Sequence, residues 1–121
     1  MQRDRRFPRA VYGVGEEPDA RFSLANERTF LAWIRTALAL IAGGVAIDAV
    51  ALPLPVVVRV VASAVLLVLG LVLPLLAWFG WAGGERALRL GKPLPASIAA
   101  LPLALGVLLV AAVIVVGLLV R

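Results

Sequence analysis

Residues Ala25–Gly44, ANERTFLAWIRTALALIAGG, form an apolar run with arginine at positions 28 and 35. From Arg28 to Asp48 is 20 residues, roughly 30 Å of α-helix and about the thickness of a bilayer's hydrocarbon core. If these two residues mark the interfaces, Arg35 lies about 10 Å inside. Keeping both Arg35 and Asp48 in water would leave twelve uncharged residues between them, about 18 Å of helix and too short to cross. The run therefore reads as a membrane span that carries a charge within it.

The rest of the chain agrees. Of 121 residues, 63% are hydrophobic and the mean hydropathy is +1.05, values that belong to membrane proteins. Val60–Ala82 and Ile98–Val120 are each 23 residues without a charge, long enough to cross with some tilt. In lipid a single segment must satisfy its own backbone hydrogen bonds, which makes these segments helices. The expected fold is all-α: an integral membrane bundle of three helices, over about residues 24–52, 56–82 and 96–120, within a domain 19–121. Residues 1–18 lack hydrophobic periodicity, run from basic MQRDRRFPRA to acidic GVGEEPD, and read as a flexible cytoplasmic tail.

Local signals mark the turns. Asp19, Ser23 and Asn26 are all acceptable N-caps for the first helix. Pro53 and Pro55 separate the first two helices. In the next connection, GGERALRLGKPLP can form a short helical turn stopped by Gly91 and Pro93. Gly70 and Pro74 predict a bend in the second helix. Trp78 and Trp81 read as headgroup-level anchors near its end. The third helix, nearly all Leu, Val and Ala, offers no chemistry.

Charge asymmetry sets the orientation. Arg3, Arg5, Arg6, Arg9, Arg21 and Arg28 precede the first span, and Arg86, Arg89 and Lys92 fall on the same side of a three-span topology. Arg59 and Arg121 lie opposite. The positive-inside rule then puts the N-terminus in the cytoplasm and the C-terminus outside. The sequence AVA at Ala49–Ala51 mimics a signal-peptidase site, but the basic region before the apolar run is too long for a signal peptide.

Arg21, Arg28 and Arg35 are spaced by seven, close to two turns, so a continuous helix carries them on one stripe. Ala39, Ala42 and Ala46 continue it, and small residues allow another helix to approach closely. That suits a seam or pore lined by protein. The bland alternative is snorkelling: arginine side chains lean toward the helix N-terminus and can reach the headgroups, with Glu27 or a lipid phosphate as partner. Asp48 and Arg59 lie at matched distances from the first turn and are expected to pair.

The segment LANERTFLAWIRTALALIAGG, Leu24–Gly44, resembles the signature of the domain of unknown function 202 family, the YidH-like small membrane proteins. The same domain is similar to the membrane part of the vacuolar transporter chaperone complex, which passes polyphosphate through a channel built from several copies of this helix. The resemblance implies channel-lining roles for Arg21 and Arg28 and an entrance role for Glu27. At Arg35 the eukaryotic sequences tend to have an uncharged polar residue. Their basic residue at the start of the third helix has no counterpart in LPASIAA. The chain also carries neither their polymerase nor their phosphate-sensing domain, so the resemblance stops at the pore.

Two functions follow. One is a homo-oligomer in the cell (inner) membrane whose first helices surround a site for phosphate or polyphosphate, since arginine rings attract such anions. The other is an accessory membrane protein whose stripe docks a partner or anionic membrane lipids. Enzymatic activity is not expected. Cysteine and histidine are absent, which removes thiolate catalysis, most metal sites and the usual general base. Glu27, Asp48 and Glu85 form no recognisable catalytic set. No cofactor is implied, and the tail's arginines lack the interleaved aromatics of a nucleic-acid surface. A reporter fused after Arg121 should be active only outside the cytoplasm; cytoplasmic activity would overturn the orientation or the number of spans.

Overall fold

The computed structural model describes residues 4–121. Its helices are a single turn, α1 (Arg9–Tyr12), and three long elements, α2 (Ala20–Ala49), α3 (Val56–Leu90) and α4 (Ala100–Val120). The three long helices are each long and apolar enough to cross a membrane, and no strand occurs among the described residues. α3 is central: α2 packs along it on one side and α4 on another, while α2 and α4 do not pack on each other.

Each helix boundary has a local cause. Among the three possible caps Asp19 starts α2, its carboxylate accepting a hydrogen bond from the backbone N–H of Arg21 at 2.9 Å. Helix α2 ends at Ala49, short of residue 52, because Leu52 precedes a proline and the chain has already turned extended at Val50. Helix α3 does not stop at residue 82 but continues to Leu90, where Gly91 takes a left-handed conformation with φ 65°. The amide of Lys92 then closes on the carbonyl of Ala87 at 2.9 Å, the Schellman arrangement that satisfies a terminal carbonyl. Helix α4 begins at Ala100, later than residue 96, and this leaves Pro102 in the first turn, where an N–H has no helical acceptor to lose. Pro74 lies inside α3 without ending it.

The α2–α3 seam follows a repeat of three and four residues. On α2 the face runs Phe30, Trp33, Ala37, Leu40, Gly44, Ile47, and on α3 Ser63, Leu66, Gly70, Leu73, Ala77. Such spacing keeps one stripe turned to a partner helix along its whole length. Leu73 is fully buried at its centre. Near the turn the backbones come close, and Ser63 Oγ donates to the carbonyl of Gly44 at 2.8 Å. A Cβ on Gly44 would stand 2.9 Å from Leu67 Cγ and 3.1 Å from the Ser63 carbonyl oxygen. Small residues are the usual means of such approach where lipid offers no hydrophobic drive between helices.

Residues 4–18, which composition marks as a tail, make a defined set of contacts with the end of α3. Val11 is buried. Arg86 donates to the carbonyl of Ala10 at 2.8 Å. Arg89, only 8% exposed, donates to the carbonyls of Val14 at 2.8 Å and Tyr12 at 3.2 Å, and to Glu17 at 3.2 Å. Its own carbonyl accepts from the amide of Glu16 at 3.0 Å. Arg6 bridges Asp4 and Glu17 at 2.8 and 2.7 Å. Hydrogen bonds from Arg6 and then Arg89 lower the Glu17 carboxyl from its ordinary 4.5 to about 2.

Four outcomes are expected. Replacing Gly44 by valine should destabilise the bundle by about 1–3 kcal/mol through overpacking, and Ser63→Ala by roughly 0.6 kcal/mol, read by thermal unfolding in detergent. Arg89→Ala should raise the rate of tryptic cleavage after Arg9 roughly tenfold, since bonds to a charged group are lost. Because hydrogen bonds from Arg6, within the tail, and then from Arg89, on α3, depress the Glu17 pKa, their contribution is complete above 4.5 and disappears as pH falls towards about 2. Tryptophan fluorescence should therefore be flat from neutral pH down to 4.5 and change only below it.

Candidate functional site

The unbroken helix from Ala20 to Ala49 places Arg21, Arg28 and Arg35 on one stripe. All three are exposed, as are Ala39, Ala42 and Ala46 above them. The stripe looks away from α3: Arg28 and buried Ala37 are nine residues apart, as are Arg35 and buried Gly44, and nine residues are about two and a half turns. Arg21 pairs with Asp19 at 2.9 Å in an exposed bridge, which lowers the Asp19 pKa. Arg28 and Arg35 form no ion pair among the described residues.

The other charged candidates fall elsewhere. Glu27 lies about 100° round the helix from Arg28 and lines a cavity that none of the three arginines reaches. It pairs with neither arginine among the described residues. The expected Asp48–Arg59 pair is not formed. Asp48 is exposed, whereas Arg59 is half-buried with its Nε hydrogen-bonded to nothing among the described residues. The cause is rotation: Ile47 takes the packed position on α2, and residue 48 points about 100° away from it.

A second polar site was not legible as such. Glu85 on α3 is 4% exposed. Its carboxylate accepts from Ser23 Oγ at 2.6 Å and from Asn26 Nδ2 at 3.2 Å, and the same Asn26 amide donates to the Trp81 carbonyl at 3.0 Å. Helix α3 can pass this close because residue 84 is glycine; a Cβ there would lie 2.9 Å from Asn26 Oδ1. Beside the carboxylate the rings gather: Trp78 and Trp81 have centroids 5.2 Å apart, Tyr12 is 6.2 Å from Trp81, and Phe30 and Phe7 are each 6.3 Å from Trp78. The two tryptophans, expected only as anchors, thus join the tail and α2 to α3.

In the sequence Ser23 and Asn26 read only as possible caps, and Glu85 only as an unsupported acid or base. One signal could have found them. They continue the α2 seam backwards with the same spacing, 23, 26, 30, 33, 37. A packing face that begins with two polar residues requires a polar partner across it, because buried polar groups are hydrogen-bonded. On α3 the acidic residue within reach is Glu85.

The chain is 47% identical over 107 residues to Inner membrane protein YidH of Escherichia coli (strain K12), an alignment covering 87% of this chain and 91% of that protein. It is 45% identical over 80 residues to Uncharacterized protein Rv2272 of Mycobacterium tuberculosis (strain ATCC 25618 / H37Rv), covering 65% of this chain and 66% of that one. No solved structure matches it. The family described as Domain of unknown function (DUF202) matches residues 21–87, from the first arginine of the stripe to the turn of α3 that follows Glu85. With its three membrane-spanning helices and more than half its length inside that match, the chain belongs to the DUF202 family.

Proposed function

We propose that this small multi-pass membrane protein is a non-enzymatic subunit of a homo-oligomer in the inner membrane, with its N-terminus in the cytoplasm, whose α2 helices present arginines to phosphate or polyphosphate. The observation that carries this reading is the exposure of Arg28 and Arg35 on the face of α2 opposite α3. On insertion scales an arginine facing lipid costs roughly 2.5–3.5 kcal/mol at the centre of a span and less near an edge, so the cost falls on Arg35, about 10 Å inside, more than on Arg28 at the interface. Another copy's α2, packed on the small residues Ala39, Ala42 and Ala46, removes that contact with lipid and brings like charges together around an axis. Such a ring needs an anion to be stable. Guanidinium groups supply one well, because their fork matches phosphate oxygens, and they act more strongly in a passage of low dielectric than in water.

Arg28→Ala and Arg35→Ala should each weaken stabilisation of the purified protein by phosphate or polyphosphate, or anion current after reconstitution, while the oligomer persists. Lysine at Arg28 should be tolerated better than alanine. A protein that is monomeric in mild detergent, with both alanine variants matching wild type, would refute the anion site. That result would favour an accessory protein that docks a partner or anionic lipid through the stripe.

A further inference from the structure

The cavity beside Glu85 belongs to neither the stripe nor its anion chemistry. It measures about 270 Å³ and is lined by four aromatic rings, Tyr12, Phe30, Trp78 and Trp81, together with the carboxylates of Glu27 and Glu85. Its composition is the reverse of the stripe's: two acids and π faces in a chain whose net charge is +5. The decisive feature is the burial of Glu85. A carboxylate 4% exposed ordinarily has a cation beside it, yet this one has only the neutral donors Ser23 and Asn26 and forms no ion pair among the described residues. Each of its oxygens accepts a single hydrogen bond, and a carboxylate has about four lone-pair sites. Half its accepting capacity is uncommitted.

We infer that this cavity binds an alkylammonium group, with Glu85 and Glu27 as its counter-charges and the Trp78, Trp81 and Phe30 rings as its walls. Aromatic faces attract ammonium ions through their quadrupole, tryptophan most strongly, and a desolvated carboxylate adds a charge-assisted hydrogen bond to any N–H the ligand has. Tyr12 already behaves in this way towards the protein's own cations, with the Arg6 guanidinium 4.4 Å and the Arg89 guanidinium 5.6 Å from its ring centre. Those two arginines do not neutralise Glu85. Arg6 is paired with Asp4 and Glu17, and Arg89 with Glu17. The cavity's size suits a headgroup or small amine rather than a drug-sized ligand. Its tryptophans stand where the span gives way to the charged end of α3, the level at which lipid headgroups lie, so the same ammonium chemistry can arrive from a lipid or from a free amine.

The test uses the full-length protein in a maltoside detergent, titrated with ethanolammonium chloride against sodium chloride at equal ionic strength. It also uses nanodiscs of phosphatidylglycerol alone or mixed with phosphatidylethanolamine. Saturable tryptophan quenching by ethanolammonium but not sodium is expected, weakened roughly tenfold or more in Glu85→Gln, which keeps an acceptor for Ser23 while removing the charge. Glu27→Gln, at an exposed position, should weaken it in the same direction and decides the matter if the Glu85 variant does not fold. If the lipid is the source, phosphatidylethanolamine discs should raise the thermal midpoint and suppress the response to free ethanolammonium. If the free amine is the source, the two disc compositions should behave alike and both should respond. No saturable response in detergent together with no difference between discs would overturn the assignment. So would a response that both variants retain.

Discussion

The close contact between α2 and α3 is the constraint from which the rest of the molecule follows. In lipid, helices gain nothing from hiding apolar side chains from one another, so they associate through tight packing and the occasional hydrogen bond. Here small residues at 37, 44, 62, 63, 70, 77 and 84 keep the seam narrow from the turn to the charged end, and Ser63 bonds directly to the Gly44 backbone. Because the packed positions recur at the same spacing along the whole seam, the rotation of α2 about its own axis is determined. That rotation buries Ser23 and Asn26 against Glu85 and turns the arginines to the opposite side.

The basic residues divide accordingly into two kinds. Arg86 and Arg89 lie on the part of α3 beyond its apolar span and organise residues 10–17 through the carbonyls of Ala10, Tyr12 and Val14, the amide of Glu16 and the carboxylate of Glu17. A planar guanidinium with five donors can hold several carbonyls at once, which a lysine cannot do in the same geometry. Arg28 and Arg35 touch no acidic partner among the described residues. Both kinds count equally as positive charges in a topology argument, yet one shapes the protein and the other faces outward. The carboxylates show a similar division, Glu17 holding the tail and Glu85 the α2–α3 junction, while Asp48 is exposed at the far end.

The aromatic cluster links these arrangements. Trp78 and Trp81 sit one turn apart on α3, between the seam and the docked residues, and meet Phe7 and Tyr12 from the tail and Phe30 from α2. Their rings and the buried carboxylate are therefore held by three separate stretches of chain. A local change in any one, such as release of the tail, would alter the surroundings of Glu85.

Much of the architecture was legible in the sequence because it depends on local or one-dimensional properties. Three spans follow from the length of uncharged runs against the thickness of hydrocarbon, and helical state follows from the need to satisfy the backbone. The common stripe of Arg21, Arg28 and Arg35 follows from 3.6 residues per turn, and the breaks at Gly91 and around Pro53 from backbone stereochemistry, although α3 runs on from residue 82 to that glycine and α2 ends three residues before 52. What stayed hidden depends on which residues far apart in the chain meet. Composition could not show that Arg89 gathers residues 12–17, about 75 positions earlier, because a guanidinium's partners are here carbonyls, which every residue carries. It could not show that Ser23 and Asn26 serve Glu85 rather than a helix end, nor that Asp48 and Arg59 fail to meet although equidistant from their turn. Sequence spacing sets how deep a residue lies along its helix; only packing against a neighbour sets the angle at which it faces, and a charge pair needs both.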